Sequence, residues 1–178
     1  MKPLHTMLLS RASADLSQVR ALYERSFPAN ERRNFDELMT VFGSACELLG
    51  FYEENRLLGF AFLLTWRDLC HILYFAMEES VRGKGYGTQA LGEMRRWKPS
   101  CRIIADLEAE TPEADNNPQR LRRMNFYRRN GYTASPVAYR WRGEDYVMFV
   151  SGGNLTGDEF EAFWAYFSVY PQVRKEDE

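Results

Sequence analysis

A chain of 178 residues favours one domain over two and suffices for a sizeable single core. Its hydrophobic share of 45% and charged share of 27% are ordinary for a globular protein, and a formal net charge of −2 gives no electrostatic case for nucleic acid or an anionic membrane. No apolar run approaches the roughly 20 residues that span a bilayer, and Met1-Lys2-Pro3-Leu4-His5 lacks the apolar core of a secretory signal, so a cytoplasmic setting is expected.

Leu4 to Ser10 reads as a short strand. Asp15 with Gln18 three residues on resembles a capping box for a helix carrying Val19, Leu22, Tyr23 and Phe27, closed by Pro28. Phe35, Leu38, Met39 and Phe42 repeat the helical stripe, which predicts a second helix from near Asn30 with Gly43 at its end. Cys46 to Tyr52 and Arg56 to Thr65 are apolar runs around Glu54-Asn55, an expected antiparallel hairpin, and Leu69 to Met77 follows the break at Arg67-Asp68 as a third strand. Connections this short require a meander, because parallel neighbours need long crossovers.

Glu78 to Gly87 is polar and glycine-rich, and Ala90, Leu91, Met94 and Trp97 then mark a helix stopped by Pro99. Arg102 to Ala109 reads as a strand, Glu110 to Pro118 as a loop, and residues 119 to 129 as a basic helix capped by Gly131. Tyr132 to Pro136 and Tyr146 to Ser151 are expected closing strands. A last helix starts near Thr156, with Glu159 completing a capping box, and buries Phe160, Phe163, Trp164 and Phe167. The charged tail Arg174 to Glu178 is expected to fray. Cys46, Cys70 and Cys101 are odd in number and widely spaced; they read as small buried apolar residues, with no metal site.

Arg82-Gly83-Lys84-Gly85-Tyr86-Gly87-Thr88 lies between a strand and a helix. Glycines there admit a ligand close to the backbone, and the open N–H groups of a helix start suit a phosphate or pyrophosphate. The bland alternative is a flexible, solvated basic loop. A Walker loop fails, because Lys84 is followed by Gly85 and not by Ser or Thr. Gly85 to Ala90 does fit the G-x-G-x-x-A of a dinucleotide-binding oxidoreductase, with Asp106 about 20 residues on as a ribose ligand. Against that reading, residues 78 to 84 separate the first glycine from its strand, and no series of βαβ units follows.

The segment Leu73 to Gly87 resembles the acetyl-CoA signature of the GNAT superfamily, a strand followed by R/Q-x-x-G-x-G/A and a helix, with Arg82, Gly85 and Gly87 at its fixed positions. Asn125-Phe126-Tyr127-Arg128-Arg129-Asn130-Gly131-Tyr132 is similar to the family's F-Y-x-x-x-G-F/Y block. The order of elements agrees up to about Ser151. The resemblance implies one α/β domain with a mixed, mostly antiparallel central sheet flanked by helices. Residues 1–151 form the GNAT-like core, and 152–178 an extra C-terminal helix and tail. It also implies an N-acetyltransferase in which a neutral amine attacks acetyl-CoA in a ternary complex, the acceptor being a small-molecule or peptide amine. In relatives the sheet splays after the fourth strand and takes the pantetheine arm. Backbone groups near Phe75 and Met77 would bind that arm, and the loop of Arg82, Gly83, Lys84, Gly85, Tyr86, Gly87 and Thr88 would hold the pyrophosphate. A non-catalytic acyl-CoA sensor on the same fold is the alternative from another class.

By the same resemblance Tyr127 is the expected general acid, with packing beside Phe126 and Met124 as the bland alternative. Asp106, Glu108 and Glu110 alternate along one strand and would share a face. Leu107-Glu108-Ala109 resembles the family's L-E-V, which makes Glu108 the preferred base, directly or through a water. Asp106 and the absence of a dedicated base stay open, as does simple pairing of these carboxylates with arginines. Glu108 and Tyr127 stand 19 residues apart, longer than in many relatives, with Thr111 to Pro118 inserted. Arg120, Arg122, Arg123, Arg128 and Arg129 read as a solvated helix face or as contacts for the coenzyme's 3′-phosphate.

Overall fold

Arg56-Leu57-Leu58-Gly59-Phe60-Ala61-Phe62-Leu63-Leu64-Thr65-Trp66 shows no polar alternation, and a strand of that composition is stable only when both faces are covered. In the computed structural model, which describes residues 2–169 and the backbone of 172–173, it is an inner strand whose residues 57–64 are all buried. The tail expected to fray lies outside the described residues. The chain divides after Ser100 into two compact units.

The first unit contains β1 (His5–Leu9), α1 (Leu16–Ser26), α2 (Phe35–Leu38), β2 (Cys46–Glu53), β3 (Arg56–Trp66), β4 (Leu69–Met77) and α3 (Tyr86–Trp97). Its strands run β1-β2-β3-β4, each antiparallel to the next. The meander follows from its turns: Glu53 pairs with Arg56 and Trp66 with Leu69, so Glu54-Asn55 and Arg67-Asp68 are two-residue connections. Tyr23 of α1 centres an aromatic cluster, its ring 4.8 Å from Tyr74 and 5.6–6.2 Å from Phe35, Phe60 and Phe62. Near the end of β4 a glycine is obligatory: a Cβ on Gly59 would stand 2.6 Å from the Ala76 carbonyl oxygen.

Two helix expectations are corrected here. Asp15 precedes α1 but makes no capping bond; its carboxylate instead accepts from the Tyr52 hydroxyl at 2.9 Å, a partner invisible in local sequence. The second helix is only Phe35–Leu38, because Asn34 caps it by accepting from Asp36 N and Glu37 N, so residues 30–33 stay outside. The apolar stripe is nevertheless inward, with Phe35, Leu38 and Phe42 buried. The cysteines are free thiols, but only Cys70 is fully buried; Cys46 and Cys101 are half-buried. Burial pushes the Cys46 thiol up to about 12, which keeps it protonated and inert.

The second unit contains β5 (Arg102–Glu108), α4 (Asn117–Arg129), β6 (Thr133–Trp141), β7 (Glu144–Ser151), α5 (Gly157–Tyr166) and the short β8 (Gln172–Val173), with strands in the order β5-β7-β6-β8. β6 and β7 are longer than their apolar cores suggest. Ser135-Pro136 reads as a strand end, yet it sits in an irregularity of register between Ala134 and Ala138, after which pairing resumes to Trp141 opposite Glu144. α5 carries the expected capping box, Thr156 with Glu159, and buries Phe160, Phe163 and Trp164.

Candidate active site

The glycine loop is built to leave donors open. A single turn, Glu79–Val81, ends β4's continuation, and Arg82 and Lys84 then fold back on the loop: Arg82 Nε donates to Met77 O at 3.1 Å, and Lys84 Nζ to Ser80 O at 2.8 Å. Gly83 and Gly85 have φ of 74° and 86°, the left-handed region that glycine enters without a steric penalty. Gly85 is the N-cap of α3, so no side chain competes for the helix's first amides. Among the described residues, the backbone N–H groups of Gly83, Gly85, Tyr86, Gly87 and Thr88 have no protein acceptor; Gln89 N makes the first helical bond, to Gly85 O at 3.2 Å. Unpaired amides at the positive end of a helix dipole form an anion site. Phe75 and Met77 lie just upstream on β4, opposite Ala61 and Gly59 of β3. Between Tyr74 and Ile72, which pair with consecutive residues of β3, Leu73 is an extra residue.

The first turn of α3 is tied down from outside. Tyr86, 7% exposed, donates its hydroxyl to Glu53 in a short bond, which holds the Glu53 carboxyl below its usual value and the Tyr86 phenol above its own. Gln89 accepts from Leu4 N at 2.9 Å and donates to Lys2 O at 3.2 Å.

In the second unit α4 and β5 bring the proton-handling candidates together. Tyr127 is 5% exposed, edge-on to Phe126 and Tyr132 at 5.4 and 5.1 Å. Burial raises its phenol well above the ordinary value, Arg123 opposes that shift, and the Asp106 carboxylate adds to it. Glu108 is 8% exposed and faces two guanidinium groups, Arg120 at 3.4 Å and Arg123 at 3.5 Å, with Asn116 Nδ2 at 3.4 Å. Asp106, two residues back on the same face of β5, accepts from the Tyr139 hydroxyl at 2.8 Å. Glu110 lies beyond the strand and is exposed, so the predicted three-carboxylate face has two members.

Arg120 also departs from expectation. It is buried, not on a solvated face, and it closes the 109–117 segment through Ala109 O at 3.0 Å, Asn116 Oδ1 at 2.9 Å and Glu144 at 3.2 Å. Asn117 completes the closure by accepting from Thr111 N at 2.9 Å. The inserted segment is therefore braced onto the start of α4, which begins at Asn117, earlier than its apolar pattern suggests.

The sequence model of the acetyltransferase (GNAT) family matches residues 16–132, about two thirds of the chain and a span that includes both the glycine loop and Tyr127. The chain belongs to the GNAT acetyltransferase family. Solved structures agree in fold. A Bacteroides thetaiotaomicron protein assigned to the GNAT family is 20% identical with a TM-score of 0.71, over 87% of this chain and 90% of that one. A GNAT acetyltransferase of Elizabethkingia anophelis with acetyl-CoA bound is 14% identical with a TM-score of 0.59, over 85% and 99%. The ribosomal-protein-S18-alanine N-acetyltransferase of Escherichia coli is 13% identical with a TM-score of 0.62, over 86% and 97%. No curated protein sequence matches the chain. The fold of this GNAT acetyltransferase is thus the expected mixed, mostly antiparallel sheet flanked by helices. Among the described residues no helix is long and apolar enough to cross a membrane.

Proposed function

We propose that this acetyltransferase uses acetyl-CoA as its donor and a primary amine as its acceptor. The observation that carries the donor assignment is the set of open amides of Gly83, Gly85, Tyr86, Gly87 and Thr88 at the start of α3, which suits a pyrophosphate. The Elizabethkingia relative, of the same fold, has acetyl-CoA bound. Arg82 and Lys84 add positive charge beside those amides, and backbone groups of Phe75 and Met77 on β4 take the pantetheine arm.

The chemistry requires a neutral amine. Its nitrogen attacks the thioester carbonyl carbon, the oxyanion so formed is steadied by a backbone amide, and the C–S bond then breaks. The thiolate takes the proton of the Tyr127 hydroxyl. The proton lost by the amine passes through a water to Glu108, whose carboxylate Arg120 and Arg123 hold in place. The Escherichia coli relative acetylates an alanine of a ribosomal protein, as its name states. For the present chain the acceptor is a small-molecule or peptide amine.

The test is release of free CoA thiol from acetyl-CoA in the presence of a panel of amines, small polyamines and peptide N-termini included. Amine-dependent thiol release is expected from the wild type. Binding of acetyl-CoA with no release above the amine-free rate for any acceptor would favour the non-catalytic acyl-CoA sensor.

A further inference from the structure

Helix α3 has to aim several amides at one anion from a stretch with glycines at 83, 85 and 87, and glycine loses more conformational freedom on ordering than any other residue. The open amides that suit the ligand also leave the first turn held, on the backbone, through its carbonyls alone. The remaining order comes from side chains. Two supply it, on either side of the unbonded Gly87 and Thr88. Tyr86 reaches Glu53, the last residue of β2, and Gln89 reaches Lys2 O and Leu4 N with both ends of its carboxamide. Lys2 is itself paired at 2.6 Å with Glu54 in the β2–β3 turn, so both supports converge on one corner of the first unit. A third bond, from Thr6 Oγ1 to Glu93 Oε2 at 3.1 Å, continues the seam one turn along α3.

We propose that Glu53 and Gln89 are positioning residues for the coenzyme: through Tyr86 and the segment Lys2–Leu4 they hold the first turn of α3 so that its free amides converge on the pyrophosphate. The proposal takes the acetyl-CoA assignment as given. The polar ends of Tyr86 and Gln89 are taken up by Glu53, Lys2 and Leu4, so these side chains act through the backbone they hold. Their bonds are exposed or part-buried, so they contribute little net stability to the fold. Their effect is on binding, because donors already in place do not have to be ordered when the ligand arrives.

The experiment compares wild type, Glu53→Ala, Glu53→Gln, Tyr86→Phe and Gln89→Ala by calorimetric titration with CoA, and by hydrogen exchange without ligand at residues 89–92, whose N–H groups make the first helical bonds of α3. Loss of one support should raise the Kd for CoA roughly 5- to 20-fold and speed exchange at residues 89–92, with the melting temperature nearly unchanged. Glu53→Gln still offers an oxygen to the Tyr86 hydroxyl and should stay within about threefold of wild type, as the loss of a charge alone is not the loss of the acceptor. Wild-type protein that binds CoA while Glu53→Ala and Gln89→Ala bind it equally well, or Glu53→Gln as weak as Glu53→Ala, overturns the positioning role alone. Wild-type protein that does not bind CoA overturns the coenzyme assignment and the positioning role with it.

Discussion

A phenol can give its proton to a departing thiolate only while that proton stays on until needed. Burial and the Asp106 carboxylate both push Tyr127 upward, outweighing Arg123, so the hydroxyl remains protonated above pH 10. Tyr127→Phe keeps the buried ring and its edge-on neighbours, so calorimetry should find CoA affinity unchanged, while kcat falls by about 10²–10⁴-fold, the usual range for lost acid–base help. The direction of the shift adds a second check: the wild-type rate should show no alkaline loss below pH 10 that disappears in Tyr127→Phe. Gly85 is a different kind of residue, required by its backbone. At φ 86° a β-branched side chain is a genuine outlier, and it would also stand beside the open amides proposed to hold the pyrophosphate. Gly85→Val should therefore weaken CoA binding at least tenfold, given a strain of about 1–2 kcal/mol from the backbone alone. Gly143→Val is the control, since φ there is 89° with open space around the missing Cβ. It should lower the melting temperature and leave CoA affinity intact, and equal weakening in both variants would mean that Gly85 matters only for folding. Tyr127 and Gly85 stand out as candidates in the sequence because each belongs to a motif complete within a few residues. Glu53 and Gln89 do not, because their partners lie 33 and 85 residues away.

Elements were legible where local chemistry and tertiary packing agree, and α5 is the clearest instance. Thr156 accepts from Glu159 N at 3.3 Å while Glu159 accepts from Thr156 N at 3.0 Å, and Arg102 of β5 pairs with the same carboxylate at 2.9 Å. Removing the cap by Thr156→Ala should cost about 1 kcal/mol, read as a lower urea midpoint at constant slope. Arg102, with the Thr156 amide, lowers the Glu159 carboxyl to about 2. A depressed folded pKa means that the support is fully present above the unfolded value near 4.3 and is lost as pH falls toward 2. Glu159 is 38% exposed, so its share of acid destabilisation should stay below about 1 kcal/mol. Glu159→Gln should flatten the acid limb of the stability curve by that amount; an unchanged limb would show the pair to be thermodynamically silent. The Asp15–Gln18 signature has the same look in sequence as Thr156–Glu159, yet no cap forms, because the Tyr52 hydroxyl takes the Asp15 carboxylate first. A capping pattern states what a side chain can do locally, and a buried aromatic hydroxyl in need of a partner can outbid it.

At the scale of the whole molecule, the β2–β3–β4 meander could be read from two-residue turns, whereas the order β5-β7-β6 could not. Ile103 to Glu108 pair with Ser151 to Tyr146 across α4 and β6, and no local pattern encodes a partner some 40 residues away. The family could be read because its two motifs sit at strand–helix and helix–strand junctions that the fold keeps intact, as the family match over residues 16–132 reflects. Coenzyme binding would also raise the stability of the chain as a whole. A ligand that binds only the native state at 100 times its Kd adds about 2.7 kcal/mol, and a protein of this size gains roughly 2–4 °C per kcal/mol. Acetyl-CoA and CoA should therefore each raise the melting temperature by about 5–10 °C at such a concentration, because both carry the pyrophosphate that the α3 amides would hold. NADH also carries a pyrophosphate, and Gly85 to Ala90 alone matches a dinucleotide fingerprint, so it is the discriminating ligand. In a dinucleotide site the acidic residue about 20 positions on binds the ribose, whereas Asp106 here is already engaged by the Tyr139 hydroxyl at 2.8 Å. NADH should thus leave the melting curve where it was. A shift with NADH and none with CoA would assign the α3 amides to a dinucleotide despite the fold, and Asp106→Asn should then abolish that shift.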